Sequence, residues 1–449
     1  MGRTADEIVG RVSLDRPFEF DRRELESSWL EAANERLIEK RSTIPVLDAL
    51  AKENGIDRIE RFEDLIPLLF AHSTYKSYPR SFLEKGRWDG LTRWLDTLAA
   101  ESITDVDNTG VVTQDDWMKA LTVAGHPVYA TSGTSGKSSF LPASSADRQF
   151  TMDCIIRSVF WQHGINADAS LPVVVLAPSQ GTSRATEFFR NFAAAYGDSN
   201  ETWFLTDEPV RLQDMSRMAV LSKAIADGTA SPNDIASFEG EARDRREQIE
   251  RDWDRLADIV SGFEGRRVII QGFWAQQWNL IERLRARGIT QIALDAGSLL
   301  GVGGGTKGVA MPEDFQQQIF SFWGLDESRQ SNGYGMSELS AALPQIGDRY
   351  VLQPWIIPLL LNEEGTELLN ADSGQVEGRF AFLDLAVEGR WGGIISGDRV
   401  IADFDTPSMT IVAGSVMRYS DLRGGDDDRL TCAGTVDAFV RGFEGVNES

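Results

Sequence analysis

Cysteine and histidine are scarce in this sequence of 449 residues, which holds two cysteines and three histidines. One distant cysteine pair cannot form a disulfide framework in a chain of this size, so we expect a reducing, cytoplasmic compartment. Neither Cys154 nor Cys432 stands beside a histidine in the sequence, which argues against a zinc site. A GxSxG segment is also absent, and this weakens a serine-hydrolase interpretation.

Positive charge and long apolar runs are lacking as well. The chain has 45 lysines and arginines against 69 aspartates and glutamates, a formal net charge of -24. A surface of this sign repels nucleic acids and anionic lipids, so we expect neither as a partner. No run approaches the ~18 apolar residues of a membrane span. We also expect no secretion or myristoylation signal, because MGRTADEIVG lacks an apolar core and has Asp6 where Ser or Thr is needed.

The pattern of the chain predicts several layers of helices and strands. The length alone predicts two or three domains, because one hydrophobic core does not grow to this size. Apolar residues three and four apart predict helices at the start, for example at 23–41, and again at 148–163. Alternating strands and helices follow, and strands with turns dominate after residue 345. The predicted boundaries are 1–110 for a helical region, 111–345 for an α/β core, 346–424 for a β-rich subdomain and 425–449 for a residual C-terminal segment.

Three buried strands are predicted within the α/β core. LPVVVLAPS (171–179) is apolar enough for a strand that is covered on both faces, and the segment 266–288 predicts a strand followed by a helix. A third, short strand is predicted at QIALDAG (291–297). Between them, residues 232–262 predict a long, charged amphipathic helix.

Residues Thr131 to Lys137, TSGTSGK, form a loop rich in hydroxyl groups and glycine between two short β-prone segments. Backbone N–H groups, hydroxyls and an ammonium group can converge there on the oxygens of a phosphate. The loop is not a Walker A motif, because Thr131 replaces the first glycine and the next residues predict a strand rather than a helix. Taken alone, the loop is a phosphate loop of another kind or a flexible surface turn.

Three further segments follow this loop in order, GVGGGTKG (301–308), NGYGMSELS (332–340) and ISGDRV (395–400). Together the four segments resemble the motifs of the adenylate-forming superfamily of acyl-CoA synthetases and related ligases, over roughly residues 60 to 440. The resemblance implies an α/β fold, the large domain of an adenylate-forming enzyme, with layered α/β subdomains and a small β subdomain. It also implies ATP and Mg²⁺ as the cofactors.

Within the superfamily, the residues of the motifs are most similar to those of the acyl-protein synthetase (LuxE-type) branch, and phenylacetate-CoA ligases are close relatives of that branch. The similarity lies in HSTYKSYP (72–79), GGGTKG, YGMSE and the segment 418–442. Such enzymes activate a small-molecule carboxylic acid, so the resemblance implies an acid substrate and an acyl-acceptor protein, a reductase or a carrier, as a partner.

The resemblance assigns a role to each motif. The loop would grip the β- and γ-phosphates, the glycines would let adenine lie on bare backbone, and Glu338 would hold Mg²⁺. Asp398 would bind the ribose hydroxyls, a role for which Asp421 competes; Asp398 is preferred because GGII (392–395) before it predicts the strand that delivers it. YGMSE alone is also compatible with a turn that caps a helix through Ser337. The implied nucleotide site comprises Thr131, Ser132, Gly133, Thr134, Ser135, Gly136, Lys137, Gly303, Gly304, Gly305, Tyr334, Gly335, Met336, Ser337, Asp398 and Arg418.

The sequence indicates an acyl pocket less clearly than it indicates the nucleotide site. Phe188, Phe273 and Trp274 lie in aromatic segments that could line an apolar slot, as the matching regions do in the relatives. Aromatic residues at helical spacing, such as Trp274 and Trp278, belong to a core more often than to a pocket. Both interpretations stay open at this point.

The family pattern breaks near the carboxyl end. No lysine follows Lys307, and only about twenty residues follow the expected hinge near Asp427. We therefore expect the C-terminal domain that supplies the family's catalytic lysine to be truncated. The implied catalytic residues are then Lys137, Glu338 and Cys432, the last as a thiol that receives the acyl group, although Cys432 could also be a small buried residue beside the hinge.

The function that these observations predict is ATP-dependent activation of a carboxylic acid as an acyl-adenylate, followed by transfer to a thiol, as in an acyl-protein synthetase. A ligase that forms a CoA thioester or an amide is the alternative among enzymes. A degenerate nucleotide-binding scaffold is the alternative among proteins that are not enzymes.

Overall fold

The structure is a computed structural model that describes residues 3–131, 137–209, 211, 221, 224–225, 228–304, 310–369 and 371–419. Within these residues the α-helices are α1 (Thr4–Val9), α2 (Arg22–Arg41), α3 (Pro45–Glu53), α4 (Ser81–Glu84), α5 (Trp88–Asp96), α6 (Gln114–Val123), α7 (Ser145–His163), α8 (Arg184–Tyr196), α9 (Pro232–Val260), α10 (Trp274–Ala286) and α11 (Phe315–Trp323). Short 3₁₀ helices lie at Gly10–Ser13, Phe62–Leu68, Thr74–Lys76 and Glu327–Arg329.

The strands of the same residues are, in chain order, β1 (Phe70–Ala71), β2 (Val128–Ala130), β3 (Phe140–Pro142), β4 (Leu171–Pro178), β5 (Gly197–Thr206), β6 (Ile269–Gln271), β7 (Leu299–Gly301), β8 (Gln330–Ser331), β9 (Gly333–Tyr334), β10 (Leu343–Ile346), β11 (Arg349–Val351), β12 (Ile356–Leu361), β13 (Gln375–Asp384), β14 (Gly393–Asp403), β15 (Thr410–Val412) and β16 (Met417–Arg418).

The chain divides into two compact units. Unit 1 consists of the described parts of Met1–Ala130, Ser138–Gln162 and Gly333–Asp428, and unit 2 of those of Thr131–Lys137 and His163–Asn332. Each unit thus combines segments that are distant in the sequence, and the contiguous domain boundaries given above stay predictions.

Unit 1 contains a mainly antiparallel sheet and most of the helices that precede residue 163. The sheet has the order β12-β13-β14-β15-β11-β10-β9, with β1 and β16 also paired to β14, and β2 pairs with β3 in a separate hairpin. The N-terminal helices share one hydrophobic core with this sheet. Buried side chains of α2 reach the chain beyond residue 350, since Trp29 Nε1 donates to Pro354 O at 2.7 Å and Arg36 Nε to Leu385 O at 3.0 Å.

Unit 2 contains a five-stranded sheet of order β5-β4-β6-β7-β8, in which every neighbouring pair is parallel. Residues Val173 to Ala177 of β4 are fully buried, as expected for a strand with both faces covered. The strand order corresponds to 2-1-3-4-5 in chain order, the order of flavodoxin-like sheets, whose ligand crevice lies where the winding direction reverses. Here the reversal falls between β4 and β6.

Local side-chain bonds fix where helices begin. Thr113 and Asp116 form a reciprocal capping box at the start of α6, with N···O distances of 3.1 and 2.9 Å. Ser183 Oγ accepts from Thr186 N at 3.2 Å at the start of α8. Each such cap stabilises a helix by about 1 kcal/mol.

The predicted helices at 23–41, 148–163 and 232–262, and the predicted strand at 171–179, are confirmed as α2, α7, α9 and β4. The third predicted core strand, at 291–297, is wrong: the strand is β7, residues 299–301. The backbone N–H groups of Ile292 and Leu294 donate instead to carbonyl oxygens at the end of α11, those of Phe322 and Trp323. The backbone N–H groups of that apolar segment are thus paired by tertiary contacts rather than by a neighbouring strand.

Candidate functional site

The carboxylate of Asp398 lies in the middle of β14, on the strand that the sequence predicted would deliver it. Tyr334 Oη donates to Asp398 Oδ2 at 2.7 Å, and Arg418 Nε lies 3.8 Å from Asp398 Oδ1. Asp398 and Arg418 are also direct partners in the β14–β16 ladder. The Asp398 N–H donates to Ser396 Oγ at 3.1 Å, which steadies the strand at this position. The structure thus brings together three residues predicted from separate motifs.

Tyr334 is a buried donor with a strong preference for its neutral form. Tyr334 is 8% exposed to solvent. Burial raises the pKa of the Tyr334 hydroxyl well above the usual value, and the negative charge of Asp398 raises it further. The phenol therefore stays protonated at neutral pH and can hold one oxygen of Asp398 in place.

Glu338 belongs to the same neighbourhood. Burial raises the pKa of its carboxyl, the charge of Asp398 adds to this effect, and the positive charges of Arg390 and Arg418 oppose it. A cation bound beside this carboxyl group would stabilise its ionised form. Among the described residues no group of three or more His, Cys, Asp or Glu side chains forms a ready-made metal cluster, so a cation here would have to complete its coordination from a ligand.

Arg390 is a residue that the sequence reasoning missed. It is 1% exposed, and its guanidinium donates to Glu338 O at 2.7 Å, Ser337 O at 3.4 Å and Pro142 O at 3.1 Å. It therefore ties the Ser337–Glu338 turn to strand β3, which ends at Pro142. A lone arginine inside the apolar stretch around Trp391 was the signal in the sequence.

The rest of the YGMSE segment is a turn with restricted space. Ser337 is buried, Met336 is half-buried, and a Cβ at Gly335 would meet Ala342 Cβ at 3.1 Å. No helix begins at Ser337 within the described stretch 310–369, so the helix-cap alternative does not apply there.

The predicted phosphate loop is described only at its ends. Strands β2 and β3 pair as a hairpin on either side of it, and the prediction of two short β segments is confirmed. Thr131 and Lys137 are described, whereas Ser132, Gly133, Thr134, Ser135 and Gly136 lie outside the described residues, as do Gly305 and Cys432. Their assignments stay predictions.

In unit 2, the glycine-rich segment follows strand β7. Gly303 and Gly304 have φ angles of 149° and 70°, a region that favours glycine. The backbone oxygen of Gly303 accepts from Trp274 N at 3.1 Å, which places this turn beside the start of α10. Because glycine has no side chain, the backbone of Gly303 and Gly304 has the open surface expected where adenine would lie.

The aromatic residues predicted for an acyl pocket also lie in unit 2. Phe189 contacts both Phe188 and Phe273, with ring centroids 5.3 and 5.5 Å apart. Phe188 and Phe273 are half-buried, whereas Trp274 is 4% exposed and packs against Phe315 with centroids 5.5 Å apart. The first two are thus accessible enough to line a pocket, and Trp274 has the surroundings of a core residue.

Comparison with known proteins gives a result at the level of structure. No protein-family model and no curated protein matches the sequence. A structure of 2-hydroxyisobutyryl-CoA ligase in the postadenylation state, in complex with R3-HIB-AMP, superimposes with a TM-score of 0.53 at 12% identity, over 92% of this chain and 71% of that one. An open conformation of the same ligase with 2-HIB-AMP and CoA gives 0.51 at 12% identity, over 91% and 72%. No helix of the described residues is long and apolar enough to cross a membrane. The chain has the layered α/β fold of the adenylate-forming ligases.

Proposed function

We propose that this protein is an enzyme that uses ATP to activate a carboxylic acid as an acyl-adenylate, releasing pyrophosphate, and then passes the acyl group to a thiol. The observation that carries the proposal is the convergence of Tyr334, Glu338, Asp398 and Arg418 in unit 1. These residues come from three separate stretches of the chain, and their chemistry suits a nucleotide. The fold supports the same reaction class.

Asp398 is the proposed ribose ligand. One oxygen accepts from Tyr334, and a carboxylate has further lone pairs with which to accept from ribose hydroxyls. Such charge-assisted hydrogen bonds contribute about 1.5 to 3 kcal/mol each. The Arg418 guanidinium lies beside this carboxylate and could swing between Asp398 and a phosphate, since its side chain is 34% exposed.

Glu338 is the proposed ligand of Mg²⁺. One carboxylate together with phosphate oxygens and waters is the usual protein share of a magnesium site that travels with ATP. When bound, the ion supplies neutralisation of the triphosphate charge. Arg390 would act as a positioning residue, because it holds the backbone oxygen of Glu338.

Lys137 and the hydroxyls of the 131–137 loop are the proposed phosphate ligands. Attack of a carboxylate on the α-phosphorus forms the acyl–O–P bond, breaks the bond to the bridging oxygen and releases pyrophosphate. This step depends mainly on positioning and charge neutralisation, which N–H groups, hydroxyls and one ammonium can supply. Phe188 and Phe273 are the proposed apolar lining for the acid.

The acceptor is proposed to be a protein thiol, as in the acyl-protein synthetase branch that the motifs resemble, and Cys432 is the candidate on this chain. The thiol of CoA is the alternative, because CoA is bound in one of the similar structures. Intact mass measurement after incubation with ATP, Mg²⁺ and an accepted acid separates the two. A hydroxylamine-sensitive adduct that is lost in Cys432→Ser and kept in Cys154→Ser supports the protein thiol, whereas an unmodified chain with rapid consumption of free CoA supports CoA.

Carboxylate-dependent exchange of labelled pyrophosphate into ATP tests the adenylation itself. Asp398→Asn should raise the KM for ATP about tenfold or more, from the loss of one charge-assisted contact. Asp403→Asn is the matched control, because Asp403 lies on the same strand, is also buried and is paired with Arg349. A wild-type chain that binds ATP but shows no exchange with any acid would contradict the enzyme proposal and leave a nucleotide-binding scaffold. An equal effect of both substitutions would contradict the ribose assignment.

A further inference from the structure

Three buried glutamines lie around the start of α10 in unit 2, next to Phe273 of the proposed acid site. Gln271 is the last residue of β6, and Gln276 and Gln277 lie in the first turn of α10. They are 6%, 1% and 0% exposed, respectively. Most buried side-chain polar atoms have at least one hydrogen-bond partner, because an unpaired buried polar group costs free energy. Each of these three amides has a buried atom without one.

The orientation of two of the amides is fixed by the backbone. Gln277 Nε2 donates to Ile270 O at 3.2 Å and to Gly301 O at 3.4 Å, while Gln277 Oε1 is buried without a partner. Gln276 Oε1 accepts from Phe273 N at 2.9 Å, while Gln276 Nε2 is buried without a partner. Turning either amide over would set oxygen against oxygen or N–H against N–H. The pair therefore presents one unmet acceptor and one unmet donor.

Gln271 adds a second unmet acceptor beside them. Its Oε1 is also buried without a partner. The side chain lies against Gly301, where a Cβ would come within 1.5 Å of that oxygen. Glycine at 301 thus leaves the space that Gln271 fills, and Gln271 and Gln277 both contact the same residue.

Gln271 stands at a position in the sheet where parallel sheets commonly bind ligands. Gln271 ends the strand at which the winding of the parallel sheet reverses, between β4 and β6. In open parallel sheets, ligands bind outside the carboxyl ends of the strands at this point. Phe273 and Phe188, which are half-buried, follow β6 and β4 and give the place an apolar, accessible rim.

We propose, resting on the acid activation proposed above, that the substrate is a hydroxylated carboxylic acid whose hydroxyl group is recognised by Gln277 and Gln276. A hydroxyl donates one hydrogen bond and accepts others, so it matches the unmet acceptor of Gln277 and the unmet donor of Gln276. An ammonium group only donates and a second carboxylate only accepts, so each leaves one amide unpaired. An alkyl group leaves both unpaired.

The test compares acids in matched pairs that differ by one hydroxyl. The probes are butanoate with its 2-, 3- and 4-hydroxy forms, and phenylacetate with its ring-hydroxylated and 2-hydroxy forms. Binding of each acid without ATP is measured by isothermal titration calorimetry, and pyrophosphate exchange is measured in parallel. The wild-type protein should bind one hydroxylated member at least about tenfold more tightly than its partner, because a site built to bond a hydroxyl rejects the analogue that lacks it.

Gln277→Met should reduce that preference to less than about threefold, since methionine has a similar shape and no amide. Gln353→Met is the matched control: Gln353 is 1% exposed, its Nε2 donates to Ala342 O at 3.0 Å and its Oε1 is unpartnered, but it lies in unit 1. It should keep the wild-type preference. Gln276→Met, which removes the unmet donor and keeps both bonds of Gln277 to backbone carbonyls, serves if Gln277→Met does not fold.

The outcomes separate the two proposals. Preferential binding of hydroxylated acids without any exchange supports the hydroxyl site and contradicts adenylation. Exchange with equal binding of both members of every pair supports adenylation and overturns the hydroxyl site, as does a preference that survives both glutamine substitutions; ordered water would then be what satisfies the amides. A protein that neither binds any acid nor shows exchange with any acid overturns both.

Discussion

Replacing Tyr334 by phenylalanine removes a hydroxyl that donates to Asp398 at 2.7 Å. The bond is charge-assisted and lies in a buried setting, where Tyr334 is 8% and Asp398 9% exposed. A hydrogen bond to a charged group contributes about 1.5 to 3 kcal/mol, so Tyr334→Phe should lower the free energy of unfolding by about that amount. Urea-induced unfolding of the ligand-free protein measures it.

Tyr75→Phe is a matched control for this change. Tyr75 is also fully buried, and its hydroxyl donates to the neutral backbone oxygen of Trp391 at 3.2 Å. A bond between neutral groups contributes about 0.5 to 1.5 kcal/mol. The loss of stability in Tyr334→Phe should therefore be about twice that in Tyr75→Phe, with unchanged dependence of the free energy on urea in both.

Tyr334→Phe also tests the nucleotide site. Without the phenol, the carboxylate of Asp398 loses its fixed orientation, so ribose binding should weaken by about 1 kcal/mol, a factor of about five in the KM for ATP. Equal stability losses in the two variants would refute the charge-assisted bond, and an unchanged KM in Tyr334→Phe would refute the role of Tyr334 in orienting a ribose ligand.

Four further substitutions have expected outcomes. Burial raises the pKa of Glu338 above 4.5 in the folded chain, so its contribution to stability falls as the pH rises from 4.5 through that raised pKa. Glu338→Gln should therefore stabilise the ligand-free protein in urea at pH 7, with the gain disappearing below pH 4.5, while pyrophosphate exchange is largely lost. Gly304→Ala and Gly374→Ala, at φ angles of 70° and 80°, should each cost about 1 kcal/mol or more in unfolding experiments, but only Gly304→Ala should weaken ATP binding in calorimetry. Arg390→Met should cost about 2 kcal/mol or more, because it leaves buried carbonyl oxygens unpaired, and should raise the KM for ATP through the Glu338 turn, so an unchanged KM would speak against its positioning role.

The sequence predicted the elements whose patterns are local. Apolar residues at intervals of three and four were sufficient to predict α2 and α9. The continuous apolar run Val173 to Ala177 was sufficient to predict β4. It also predicted that a strand would carry Asp398, because the apolar residues before it have the pattern of a strand. Where the pattern was short, at residues 291–297, local reasoning placed a strand that tertiary hydrogen bonds to the end of α11 exclude.

Many residues of the proposed nucleotide site could be named from the sequence because they belong to motifs that follow one another in a fixed order. The sequence named Tyr334, Asp398 and Arg418 one by one, but their mutual distances depend on how β9, β14 and β16 pair, and pairing between distant strands is not encoded in any local pattern. The roles assigned to these residues stay predictions until the experiments above are done.

What the sequence alone determined, then, is the alternation of helices and strands, the acidic balance of the chain and the motifs whose order indicates nucleotide chemistry. Only the tertiary structure decided which polar groups are buried and unpaired. Arg390 and Gln277 have no motif, and each gains its meaning from backbone oxygens contributed by other segments, those of Glu338 and Gly301. The physical reason is that burial and hydrogen-bond satisfaction are properties of the packed chain, since the free energy of a polar side chain depends on what surrounds it.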